Sequence, residues 1–164
     1  MPSDPSAFPA VATARQEPGP VDPVSPDSSG GLVWRRIFPG RLDQVREARR
    51  FVRFLLADDP RADDAELIVS ELAGNALRHT RSGLATGRFT VEVVLDDSAA
   101  GILLTVYDHG GTGTPRFTGH DQQCCTEEHG RGLAMVSAIA TRAGYQGTPS
   151  SGHRVWAYLS PCLP

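Results

Sequence analysis

Three short stretches of the chain set polar residues and glycines at spacings that could do chemistry. In ELAGNALRHT (71–80), Glu71, Asn75 and Arg78 follow one another at intervals of four and three. At about 100° per residue on a helix, these three fall within an arc of about 60°. They form one polar stripe on an otherwise apolar segment. DHGGTG (108–113) sets a carboxylate, Asp108, ahead of paired glycines, and GRGL (130–133) sets Gly130 and Gly132 ahead of an apolar helical run.

Taken singly, each stretch has an ordinary reading: a solvated Glu–Asn pair, a turn after a strand, a loose helix start. Taken together they cover the needs of a magnesium-nucleotide site. Glycines that open a helix leave backbone N–H groups free at the positive dipole end, which suits phosphate. A carboxylate at a strand end can accept from the exocyclic amine of a base. The amide oxygen of Asn75 is a hard neutral ligand suited to Mg²⁺ bridging phosphates. Glu71, one turn earlier, could take the proton from an attacking hydroxyl or water.

The elements that must position these groups are legible from period and punctuation. LVWRRIF (32–38) is β-branched and aromatic and reads as a strand, stopped by Pro39 and Gly40. Residues 41–57 and 63–80 carry apolar residues at helical period, with Asp63 or Asp64 as the expected cap of the second helix. On that helix Val69, Leu72, Ala73 and Ala76 lie opposite the polar stripe, so one face packs and the other looks into something polar. Gly74 sits in its middle, where close approach of another element is one reason to tolerate it. GRFTVEVVLDD (87–97) and GILLTVYDHG (101–110) read as a hairpin. A helix over 129–144, a short strand near Tyr145 and a last strand over 154–160 follow. The fold class expected from this order is an α/β two-layer sandwich, with helices on one face of a mixed, mainly antiparallel sheet.

Composition fits a single domain. The 164 residues carry 40% hydrophobic and 21% charged residues and a formal net charge of −3. That charge gives no reason to expect nucleic acid or an anionic membrane as the main partner. Residues 1–30 are rich in Pro, Ser, Ala and Asp and read as a disordered tail, leaving 31–164 as the folded domain. No secretory signal or membrane span is legible, so the cytoplasm is the expected compartment. Cys124, Cys125 and Cys162 make neither a disulfide framework nor a zinc pair and read as reduced thiols.

The motifs E-L-x-x-N-A-x-x-H-T, D-x-G-G-x-G-x-P and G-R-G-L-A-M-V resemble the N box and glycine boxes of the GHKL (Bergerat-fold) ATPases. Their order and spacing are most similar to the actinobacterial anti-sigma factor serine kinases, over about residues 32–160. The resemblance implies ATP and Mg²⁺ as cofactors. It implies Asn75 as the Mg²⁺ ligand, Glu71 as the catalytic base and Asp108 as the reader of the adenine amino group. Gly110 would let the base lie close, and Gly113 would belong to the same box. Residues 114–129 would form the ATP lid, with Gly130, Arg131, Gly132 and Leu133 beside the phosphates. His79 is read as structural, and Arg154 stands where members of the family often carry Thr near the base. The implied function is a regulator that phosphorylates Ser or Thr on an anti-anti-sigma (STAS-type) partner and also binds a sigma factor. The alternative is an ATP-gated binding module without turnover. Monomer and homodimer are both compatible with the sequence.

Overall fold

Two amphipathic segments close into α1 (Gln44–Leu55) and α2 (Ala62–His79), and their apolar sides meet each other and the sheet. The structure, a computed structural model, describes residues 31–96, 100–117 and 131–161. Around the helices run β1 (Leu32–Pro39), β2 (Arg88–Asp96), β3 (Gly101–Tyr107), α3 (Arg131–Ile139), β4 (Arg142–Thr148) and β5 (Gly152–Leu159). The strand order is β1-β2-β3-β5-β4. All four pairings are antiparallel, where the sequence allowed for a mixed sheet. The α3 crossover carries the chain from β3 to β4 at the far edge, and β5 turns back into the gap, so no two parallel strands become neighbours.

The helices cover one face of this sheet, as expected for a two-layer sandwich. Phe38 stacks on Phe89 with ring centroids 5.3 Å apart, and Phe51 of α1 meets Phe38 edge-on at 6.1 Å. Ile68, Val69, Leu72 and Ala73 of α2 are buried in the same cluster as Val91, Leu104, Val106 and Val155. On the opposite face the register aligns Arg35, Glu92, Thr105 and Trp156 across four strands. There Glu92 is only 1% exposed, held by Arg35 and by the Tyr107 hydroxyl at 3.1 Å. The carboxylate holds the Arg35 guanidinium above its ordinary value, chiefly through their hydrogen bond. Burial, followed by the nearby Glu92 charge, pushes the Tyr107 phenol up.

Two boundaries and one contact differ from the sequence reading. Arg61, not Asp63 or Asp64, stands at the start of α2, and no side chain caps it. Both acids lie in the first turn, where the helix dipole favours them. Arg61 is occupied otherwise: it pairs with Asp59 at 2.7 Å and donates to the carbonyls of Ala100 and Ser160 at 3.0 and 2.9 Å. The third helix ends at Ile139 rather than 144, because Arg142–Thr148 pairs with β5 instead. The nearest atoms over Gly74 are those of the Arg78 guanidinium, 3.2 to 3.4 Å from where a Cβ would sit, rather than another element.

Candidate nucleotide site

Asp108 is delivered where β3 leaves the sheet, its backbone N–H still donating to the His153 carbonyl at 2.9 Å. Its Oδ1 accepts three hydrogen bonds: from the Gly110 N–H at 2.6 Å, the His153 N–H at 3.0 Å and the His153 ring Nδ1 at 3.1 Å. The two side chains are 2% and 1% exposed. A carboxylate can only accept, so this contact places the ring proton on Nδ1, and in the neutral ring Nε2 then carries a bare lone pair. Nε2 is buried and has no hydrogen-bond partner among the described residues. Leaving such a group unpaired costs roughly 1–3 kcal/mol.

The turn after Asp108 depends on glycine. Gly110 adopts φ 69°, and a Cβ there would lie 2.2 Å from the Pro149 carbonyl oxygen. Arg81, just past α2, clasps this turn. Its backbone N–H donates to the Gly110 carbonyl at 2.6 Å, and its Nη2 to the carbonyls of His109 and Ser150, the latter at 2.9 Å. The His109 N–H donates to Ser82 Oγ at 3.0 Å, and Thr80 bridges to Gly111. The turn that carries Asp108 is thus bolted to the end of the helix that carries the polar stripe.

Glu71 of that stripe faces the start of α3. A Cβ at Gly132 would lie 2.3 Å from Glu71 Oε2, so the carboxylate rests directly on the first turn of α3. Asn75 lies one turn further along, partly exposed like Glu71, while Arg78 is exposed. Neither the Glu71 carboxylate nor the Asn75 amide is held by a hydrogen bond among the described residues. Leu133 is packed into the core, Arg131 is exposed, and a Cβ at Gly113 would meet nothing within 4 Å. His79 is exposed at the end of α2, with its carbonyl against Gly111. Gly130, most of the 114–129 segment and all three cysteines lie outside the described residues.

The last strand sets two neighbouring residues on opposite faces. Arg154 pairs in register with Tyr107 and holds its guanidinium 5.9 Å from that ring, on the face away from the helices. The residue that meets Asp108 is its neighbour, His153, which the sequence reading passed over.

The site's chemistry fits a nucleotide: a carboxylate fixed through one oxygen at a strand end, and glycines at Gly110 and Gly132 where a Cβ would collide. Residues 38–159 match the histidine kinase-like ATPase domain, and the chain belongs to that family. No curated protein matches it. Among solved structures, it is similar to the RsbU and RsbW domains of Rv1364c from Mycobacterium tuberculosis, at 18% identity and a TM-score of 0.59. The likeness covers 79% of this chain and 32% of that one, so the chain spans about a third of that protein's length. At this identity the likeness is one of fold, with helices stacked against an open antiparallel sheet. No described helix is long and apolar enough to cross a membrane.

Proposed function

We propose that the chain is an ATP-dependent serine/threonine kinase of a small STAS-type anti-anti-sigma partner, which also binds a sigma factor. The observation that carries this reading is the position of Glu71. Its carboxylate rests on the glycine turn that opens α3, one helical turn from Asn75, with the Asp108 turn clasped to the far end of the same helix. The RsbW domain in the similar structure supports this choice of branch.

Bound ATP would supply the transferable phosphoryl group, with Mg²⁺ neutralising its charge. Among the described residues no cluster of three or more His, Cys, Asp or Glu could hold a metal alone. The Asn75 amide oxygen would serve as one Mg²⁺ ligand alongside phosphate oxygens and water, a normal arrangement for magnesium. Asp108 orients the base through its carboxylate, and Gly110 keeps the turn clear of it. Gly132 and the α3 N-terminus present N–H groups to phosphate. Glu71 accepts the proton of the attacking partner hydroxyl.

The test is phosphate transfer from γ-labelled ATP to a co-purified partner, wild type against Glu71→Ala. The variant is expected to bind ATP about as well as wild type and to transfer about 10²–10⁴-fold more slowly. Equal transfer by both would remove Glu71 from the mechanism. No transfer by wild type, with ATP still altering partner affinity, would replace the kinase with a gated binding module.

A further inference from the structure

Two turns meet beside Asp108, and both are built on glycine. One passes through Gly110 at φ 69°, the other runs from Gly147 at φ 104° to Gly152 at φ 103°. They touch: a Cβ at Gly110 would lie 2.2 Å from the Pro149 carbonyl oxygen, and one at Gly152 would lie 2.3 Å from that of Asp108. Glycine brings no side chain to anchor such a turn and has the widest backbone freedom, so the turns take their place from ties to something stiffer. Arg81, two residues past the end of α2, ties both. Its backbone N–H donates to the Gly110 carbonyl at 2.6 Å. One guanidinium nitrogen, Nη2, donates to the His109 carbonyl in the first turn and to the Ser150 carbonyl, at 2.9 Å, in the second. The side chain is exposed and pairs with no carboxylate among the described residues, so its charge is directed at these two carbonyls. Hydrogen bonds from an ionised donor are roughly twice as strong as neutral ones.

We propose that Arg81 is a positioning residue for the nucleotide: by tying both turns to α2 it holds the Asp108 carboxylate in register with Asn75 and Glu71, without touching the ligand itself. This rests on the nucleotide-binding reading above and gives a task to a residue outside the sequence motifs. The backbone bond to Gly110 survives any side chain at this position, so what the guanidinium adds is the cross-tie between His109 and Ser150. Its loss loosens the end of the site that carries Asp108 and leaves the Glu71 end in place.

Calorimetric titration of the full chain with ATP and with ITP, each with Mg²⁺, tests this in wild type, Arg81→Met and Arg81→Lys. ITP carries a carbonyl where ATP carries the amine that Asp108 would accept from. Arg81→Met keeps the apolar stem and removes the donors, whereas Arg81→Lys returns a cation with three donors. Arg81→Met is expected to bind ATP about tenfold more weakly, the scale of one lost charge-assisted hydrogen bond, with ITP little changed. The preference for ATP therefore shrinks, and Arg81→Lys is expected to recover most of it. A residue that only braces the fold would not move that preference. Equal losses for ATP and ITP in Arg81→Met, or no loss, would overturn the proposal. So would an Arg81→Met chain that shows no cooperative melting without nucleotide, since Arg81 would then serve the fold itself. Equal wild-type affinity for ATP and ITP would overturn it too, leaving no base preference for Arg81 to hold. Failure of wild type to bind either nucleotide would defeat the nucleotide reading itself, and the proposal with it.

Discussion

A methyl group at Gly132 would fall on the far end of a flexible side chain, the Oε2 of Glu71, rather than on backbone. The side chain can swing aside, so Gly132→Ala is expected to fold with a melting temperature within about 4 °C of wild type. The displaced carboxylate no longer rests on the start of α3, and misplacement by about 1 Å is enough to cost on the order of 10²-fold in transfer. Melting curves beside labelled-phosphate transfer check this, and an unaltered transfer rate would contradict it. At this scale the α2 stripe was legible because helical spacing alone puts Glu71 and Asn75 on one side. His153 was also within reach of a simple rule. Along a strand alternate residues share a face, so His153 belongs with Val155, Ala157 and Leu159 on the helix side, and Arg154 with Trp156 and Tyr158 on the other. Matching a motif by position pointed to Arg154; the parity of the strand points to its neighbour.

The segment between α1 and α2 is held by the Asp59–Arg61 pair, which also ties it to the β2–β3 turn and the end of β5. The hydrogen bond from Arg61 is the main cause that holds the Asp59 carboxyl below its ordinary value. A carboxyl depressed in the folded state stabilises the fold above its unfolded value of about 4, and that stabilisation is lost as pH falls through the lower folded value. Asp59→Asn is therefore expected to lose roughly 1 kcal/mol at neutral pH, a partly solvated pair being worth no more. The gap to wild type should close on acidification below about pH 4. Denaturant melts at pH 7 and pH 3 decide it, and a gap of constant size would contradict the assignment. Among the elements, long periodic helices and the hairpin were readable, while the end of α3 was not. Residues 140–144 are compatible with helix by local preference, and only pairing with β5, a contact remote in sequence, draws Arg142 onward into a strand.

Taken whole, the molecule is a sheet covered on one face, and its strand order escaped the sequence because order is fixed by which edge a returning strand finds. The periodicity of β3, β4 and β5 identifies each as a strand but does not say that the last lies between the other two. That arrangement bears on how the protein is made. Of the described elements, the strand whose His153 holds Asp108 is the last to leave the ribosome. Until Gly152–Leu159 emerges, β3 and β4 have no bridge between them, and two of the three donors on Asp108 Oδ1 do not yet exist. On the proposed reading, the residues of α2, Glu71 and Asn75 among them, are made before the Asp108 turn that would grip a base has its full set of donors. A chain stopped after Ser151 is expected to show no ATP-dependent rise in melting temperature and to self-associate through its bare β3 edge. ATP binding by that shortened chain at near wild-type affinity would show that the site closes without its last strand. On the proposed reading, nucleotide capture follows the pairing of that strand rather than preceding it.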